Sequence, residues 1–190
     1  MENLEENIGI SNNQTQEEHT ISVDRVNLVA LIFIVPITLL YALPYYIVWK
    51  ENVFLSLRLI TLGIFLASIP IGIIIHELLH GLTWAVFLPK GLKSISFGIK
   101  WEYLMPYCHS SVPLKVWQYV MGGLMPLLFM GIVPAIYALI TGSKLMMFFA
   151  MFFTWAAGGD IQIVWMLRKF KKNQMVLDHP NDPGFIVLRD

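Results

Sequence analysis

Residues 75–81 read Ile-His-Glu-Leu-Leu-His-Gly, and this stretch decides both the fold and the chemistry that the sequence predicts. His76 and His80 are four residues apart, which places both imidazoles on one face of a helix, one turn from each other. Two imidazole nitrogens at that spacing can bind one metal ion. Glu77 follows the first histidine directly and can take a proton from a metal-bound water, whose pKa the metal lowers. The pattern therefore predicts metal-assisted hydrolysis on a helix.

The chain that carries this helix is too apolar for a water-soluble globule. Of its 190 residues, 56% are hydrophobic and 14% are charged, whereas about a quarter are charged in ordinary soluble domains. Residues 27–49 and 116–143 contain no Asp, Glu, Lys or Arg, and an apolar stretch of about 18 residues can span a membrane. We expect an all-α membrane protein, with four transmembrane helices at residues 27–49, 59–88, 116–141 and 145–167.

The segments outside the spans differ in composition. Residues 1–26 hold six acids and one base without an apolar period, which predicts a disordered acidic tail ahead of a membrane domain at 27–190. Residues 94–99 alternate as a strand would, and residues 101–107 are aromatic. We therefore expect a small hairpin at the membrane surface between the second and third spans.

The basic residues predict the orientation in the membrane. With four spans, the tail, the central loop and residues 168–190 share one side, which holds ten Lys and Arg residues against three on the other side. The positive-inside rule then places both termini in the cytoplasm. The expected location is the plasma membrane of a bacterium, with the lipid bilayer as a partner. The net charge of zero argues against a nucleic-acid partner.

A third metal ligand is expected, because a catalytic zinc usually takes three protein ligands and keeps one open position. The fourth span holds a single acid, Asp160, after two glycines that permit close helix approach. Asp160 lies eight residues before Arg168, about 12 Å along a helix. His80 lies ten residues before Lys90, about 15 Å by the same rise. Both spans end on the same side, so these groups share one level, and Asp160 is the expected third ligand.

Other interpretations of these residues stay open at this point. The two histidines could be neutral and hydrogen-bonded to neighbouring helices, although Glu77 would then have no role in lipid. Asp160 could pair with Arg168 or Lys169 at the interface. His109, in the loop after the second span, could bind metal, stabilise an oxyanion or be a solvated interface residue.

The longer pattern resembles known membrane peptidases. A His-Glu-x-x-His motif in one span and Gly-Asp160 in a later one are similar to the site-two intramembrane metalloproteases, although the chain lacks their Asn-x-x-Pro and Leu-Asp-Gly patterns. With Pro-Tyr-Cys-His at residues 106–109 and Asp-His-Pro at 178–180, the chain looks more like a bacterial family named "putative zincin peptidase". The resemblance covers residues 26–188. It implies His76, His80 and a downstream acid as zinc ligands, with Glu77 as the base.

The predicted function is that of a zinc-dependent intramembrane peptidase. It would hydrolyse peptide bonds of a membrane-protein or peptide substrate near the cytoplasmic face, with Glu77 activating the zinc-bound water. The substrate would have to be extended, because a helix hides its carbonyls in internal hydrogen bonds, and residues 94–101 could offer a strand edge. The alternatives are a catalytically inactive membrane scaffold and a non-hydrolytic metal-binding membrane protein.

Overall fold

Two long apolar helices begin the membrane part of the chain. The structure, a computed structural model, describes residues 15–55, 58–103 and 105–189. Helix α1 (Val23–Trp49) begins after Ser22, whose hydroxyl accepts a hydrogen bond from the backbone N–H of Arg25. Helix α2 (Leu59–Ala85) carries the His-Glu-x-x-His motif in its C-terminal half. Both leave most of their apolar side chains exposed, as expected of helices that face lipid and satisfy their own backbone groups.

The third apolar stretch is one helical rod with a widened turn at its centre. Helix α3 (Val116–Pro126) continues through a π-helical segment (Leu127–Ile132) into α4 (Val133–Thr141). Pro126 ends α3 because proline has no backbone N–H to donate to the residue four places before it. That residue is Gly122, and its carbonyl oxygen is therefore free for another partner.

The fourth apolar stretch is bent, whereas the sequence predicted a continuous helix. Helices α5 (Lys144–Ala156) and α6 (Gly158–Leu167) meet at an angle of 46°. Two consecutive glycines at the break explain the bend, because glycine is a poor helix former. The bend places Asp160 in the first turn of α6, where a helix favours a negative charge. Three described helices can each span a membrane, and the bent pair makes a fourth if it counts as one span.

The description of the fold as all-α was wrong in part, because the described residues also form two antiparallel sheets. Strands β2 (Ile95–Lys100) and β3 (Met105–Ser110) form a hairpin between α2 and α3, where the sequence predicted a strand and a hairpin. The second sheet contains the strands β1 (Thr15–Thr20), β4 (Leu114–Lys115), β5 (Met175–Asp178) and β6 (Gly184–Arg189). Their order in the sheet is β1–β6–β5–β4.

Strand β1 lies within the segment that the sequence predicted to be disordered. It pairs along all of β6, from Thr15 opposite Arg189 to Thr20 opposite Gly184. The apolar side chains of β6 are buried. The free backbone N–H and C=O groups at its edge can pair with a polar segment, and an alternation of apolar residues is not needed for such pairing. The predicted tail is thus ordered from Thr15 onward, while residues 1–14 lie outside the described residues.

One hydrophobic cluster joins the four-stranded sheet to the membrane helices. It contains side chains of α2, α3, α6, β5 and β6 that are almost completely buried, among them Trp84, Tyr119, Leu167, Val176 and Phe185. A second cluster, around Tyr45, Ala138 and Met147, packs α1 against α4 and α5. The first cluster fixes the C-terminal strands against α2, which carries both histidines of the motif, and against α3 and α6.

Candidate metal centre

Three side chains from two helices converge at the C-terminal half of α2. His76 and His80 face Asp160, which the first turn of α6 directs toward them. His76 Nε2 lies 3.1 Å from Asp160 Oδ2, and His80 Nε2 lies 3.4 Å from Asp160 Oδ1. One donor atom from each residue lies within 4.8 Å of the other two. The sequence placed the two histidines and Asp160 at a similar height along their helices, and in the structure the three side chains lie close together.

His80 is oriented by a backbone carbonyl of α3. Its Nδ1 donates a hydrogen bond of 2.9 Å to the Gly122 oxygen, the oxygen left free by Pro126. In neutral imidazole only one ring nitrogen carries a proton, so this bond leaves a lone pair on Nε2. That lone pair faces a carboxylate oxygen of Asp160, and two electron-rich atoms at this distance require a proton or a metal cation between them.

Close packing of α3 on α2 makes this contact possible. A Cβ atom built on Gly122 would collide with the indole of Trp84, so this position requires glycine. Trp84 in turn donates from Nε1 to the Tyr119 carbonyl at 3.1 Å. The rings of His80, Trp84 and Tyr119 follow one another with centroid separations of 5.5 and 5.0 Å. The orientation of His80 therefore depends on a packed aromatic row.

The donor set fits a zinc ion. Two imidazole nitrogens and one carboxylate are the ligand types and the ligand number of many catalytic zinc sites. The hydrogen bond from His80 Nδ1 to a backbone carbonyl is the kind of outer contact that fixes a metal-binding imidazole. His76 Nδ1 is buried without a hydrogen-bond partner among the described residues. The ring of His76 therefore makes its polar contact through Nε2, which faces Asp160. A cation shared by these two residues would bind at Nε2.

A cavity of about 410 Å³ opens beside these groups, between the membrane helices, the hairpin and the C-terminal turn. Glu77 lines it together with His76, His80 and Asp160. Within the described residues, the Glu77 carboxylate has no hydrogen-bond or salt-bridge partner. A half-buried carboxylate beside the three candidate ligands is thus free to contact a water or a substrate group in the cavity.

A second polar group, formed by His109, Asp178 and Tyr119, lines the same cavity. His109 Nδ1 lies 3.0 Å from Asp178 Oδ2. The Tyr119 hydroxyl donates a hydrogen bond of 2.6 Å to Asp178 Oδ1. The structure thus connects the hairpin, α3 and the end of β5 through the single carboxylate of Asp178.

Cys108, next to His109, packs toward α2 rather than serving as an open thiol. A Cβ built on Gly81 would lie 3.1 Å from its Sγ. Burial, followed by the negative charges of Glu77 and Asp178, raises the pKa of the Cys108 thiol far above its usual range. The residue is therefore a neutral thiol at physiological pH, unlike a cysteine nucleophile.

The structure brings together every residue that the sequence singled out, and it adds others. His76, His80, Asp160, Glu77 and His109 all line one cavity. Sequence reasoning assigned no role in the site to Gly122, Tyr119, Trp84 or Asp178. The proline four residues after Gly122 was a signal for a free carbonyl, whereas the contact of Asp178 with His109 depends on the pairing of β5 with β4 and β6.

One comparison with known proteins bears on this site. A family model described as "Putative zincin peptidase" matches residues 69–175. The matched region contains the two histidines, Glu77, His109 and Asp160. No curated protein and no solved structure matches the chain.

Proposed function

We propose that this chain, which belongs to the "putative zincin peptidase" family, is a zinc-dependent intramembrane peptidase. It would hydrolyse peptide bonds of a membrane-associated protein or peptide near the cytoplasmic face of the membrane. The observation that carries the proposal is the convergence of His76, His80 and Asp160 beside Glu77 in a cavity between apolar helices. Ionisable groups at membrane depth are costly, which makes a functional role the default interpretation.

The chain's own residues divide the chemical work between them. His76, His80 and Asp160 would hold a zinc ion, which when bound acts as a Lewis acid on water and on the substrate carbonyl. Glu77 takes a proton from the attacking water as the new C–O bond forms. It then gives that proton to the amide nitrogen as the C–N bond breaks. The hydrogen bond from His80 Nδ1 to the Gly122 carbonyl oxygen keeps the imidazole from rotating during these steps.

A substrate peptide must be extended where it is cut, because a helix engages its carbonyls in internal hydrogen bonds. Residues 94–101, expected from the sequence to offer a strand edge, include β2 (Ile95–Lys100), which pairs with β3. Residues 105–109 of β3 line the cavity, so β3 is the strand nearer to the candidate ligands. A segment that adds to this hairpin would gain backbone hydrogen bonds beside Glu77.

The basic residues support an orientation with both termini in the cytoplasm of a bacterial cell. Under the positive-inside rule, the hairpin and the four-stranded sheet then lie on the cytoplasmic side, close to the cavity. A reporter fused after Asp190 tests this arrangement. Activity of a reporter that works only in the cytoplasm supports it, and activity of a reporter that works only outside the membrane contradicts it.

The proposed activity is tested with purified protein in detergent, using dye-labelled casein and a fluorogenic single-span peptide as substrates. Glu77→Gln should abolish cleavage while the zinc content stays at that of the wild type, because the substitution removes a base and leaves the ligands. Glu51→Gln is the matched control, since Glu51 is mostly exposed and pairs with Lys144 at the other end of the bundle. Loss of zinc along with activity would mean that Glu77 is a structural partner of the site.

The alternative functions predict other results in the same experiment. A non-hydrolytic metal-binding protein would hold zinc in the wild type and cleave neither substrate. A catalytically inactive scaffold would cleave neither substrate and would keep its fold when zinc is removed. Equal activity of the wild type and Glu77→Gln would contradict the proposed mechanism.

A further inference from the structure

The group of His109, Asp178 and Tyr119 has no part in the proposed metal site, although it lines the same cavity. It forms between three elements far apart in the chain: the hairpin, the start of α3 and the end of β5. Asp178 is mostly buried, with 13% of its side chain exposed, and His109 is 24% exposed. A buried carboxylate between two polar partners fixes its neighbours more firmly than a solvated one.

The hydrogen bonds determine which nitrogen of His109 is available. An ionised carboxylate only accepts hydrogen bonds. Asp178 accepts one from the Tyr119 hydroxyl through Oδ1 and is paired with His109 Nδ1 through Oδ2. Nδ1 therefore carries a proton, and Nε2 is the ring nitrogen left for a ligand in the cavity.

We propose that His109 is a further catalytic residue and that Asp178 is the residue that positions it. This inference rests on the proposed peptidase function. Protonated His109 donates from Nε2 to the oxygen of the scissile carbonyl as that oxygen becomes negative, while its Nδ1–H stays on Asp178. No covalent bond to His109 forms. Its contribution is a fixed donor at the place where charge develops.

The arrangement has the features that such a donor needs. His109 belongs to β3 and lines the same cavity as Glu77, so a peptide bound in that cavity can contact both residues. Asp178 accepts a hydrogen bond from Nδ1 and holds the ring in one orientation. Tyr119 anchors the carboxylate from the far side. A solvated interface histidine would need neither partner.

Activity measurements on His109→Gln, Asp178→Asn and the double variant test the proposal. Removal of one such donor costs about 10²–10³-fold in kcat in other hydrolases, and we expect a loss of that order in each single variant. KM and zinc content should stay close to the wild type. Because Asp178 acts through His109, the double variant should be no slower than His109→Gln alone.

Several outcomes would overturn this role. Losses that multiply in the double variant would mean that Asp178 acts independently of His109. A change confined to KM would make His109 a residue for binding only, and loss of zinc would place it among the metal ligands. If the wild type cleaves a substrate and His109→Gln cleaves it equally fast, the proposed role of His109 is overturned and the peptidase proposal is not affected. A wild type that cleaves neither labelled casein nor the single-span peptide overturns the peptidase proposal as well.

A spectroscopic measurement tests the pair without activity. In protein labelled with ¹⁵N-histidine, the ring signals that vanish in His109→Gln identify His109. They should show a protonated Nδ1 in the wild type and a changed pattern in Asp178→Asn. Asp182→Asn is the matched control, because it makes the same change at an exposed carboxylate of the same segment that lies 3.9 Å from His179. Identical His109 signals in the wild type and Asp178→Asn would overturn the positioning role of Asp178.

Discussion

His80 donates from Nδ1 to the carbonyl oxygen of Gly122 over 2.9 Å. That oxygen is available because Pro126, four residues later, has no N–H to occupy it. The third apolar helix thereby orients a side chain of the second, and the lone pair of His80 Nε2 turns toward Asp160. The histidine motif supplies two of the three proposed ligands, and a proline outside the motif leaves free the carbonyl oxygen that aligns one of them.

Gly122→Ala should weaken zinc binding without changing a ligand. The added methyl group would collide with the Trp84 indole and push α3 away from His80. Loss of such an outer hydrogen bond typically lowers metal affinity about 10–100-fold. Competition with a chelator measures the affinity. Gly123→Ala is the matched control, because its added Cβ would lie 3.2 Å from Val164 Cγ2, without the overlap that arises at Gly122. Equal zinc affinity in both variants would contradict this account.

Tyr41→Phe should destabilise the bundle slightly. The Tyr41 hydroxyl and Thr154 Oγ1 form a buried hydrogen bond of 2.6 Å between α1 and α5. Such bonds between membrane helices contribute about 0.6 kcal/mol on average and at most about 1.7 kcal/mol. Unfolding in mixed micelles measures the change. Tyr46→Phe is the control, since Tyr46 is 52% exposed, and an equal loss in both variants would rule out the hydrogen bond as the cause.

Phe185→Ala should loosen the C-terminal sheet and release Asp178. Phe185 is fully buried and stacks on His19 of β1 at a centroid distance of 5.4 Å. Truncation of a buried phenylalanine costs about 3–5 kcal/mol. Faster hydrogen exchange of the backbone amides of β5 and β6 would measure this loss of stability. Asn181→Ala, in the exposed turn between these strands, should leave exchange unchanged. Protection of both strands in Phe185→Ala would show that the sheet does not depend on this core contact.

Cys108 should react slowly with maleimide in the native protein. Burial and the neighbouring acids raise the pKa of its thiol, so the reactive thiolate is scarce at neutral pH. At pH 8 we expect labelling at least about 10-fold slower than in protein denatured in SDS. Equal rates in the two states would show that the thiol is neither buried nor perturbed.

Much of this arrangement could be predicted from local sequence. The uncharged stretches predicted the helices, because a membrane span needs length and apolarity alone. The four-residue spacing predicted the shared face of His76 and His80, and counting the depth of Asp160 from the membrane surface predicted its level. These inferences succeed because each depends on the geometry of a single helix.

The remaining features depend on contacts between distant segments. The bend after Ala156 coincides with two glycines, from which the sequence predicted close helix packing within a continuous span. Strand β1 has a polar sequence and exists through its pairing with β6. Asp178 reaches His109 only after the C-terminal strands fold back over the bundle. These contacts join segments that are distant in the sequence, so no periodic pattern of apolar residues within one segment predicts them.

The central claim, that His76, His80 and Asp160 share one metal ion, is tested most directly by the zinc content of purified protein. Wild-type protein should carry one equivalent of zinc, and His76→Ala and Asp160→Ala should each carry little. Asp182→Ala, at an exposed turn of the C-terminal segment, is the control and should retain the full equivalent. A full equivalent of zinc in Asp160→Ala would contradict the claim, because the carboxylate would then not be a ligand.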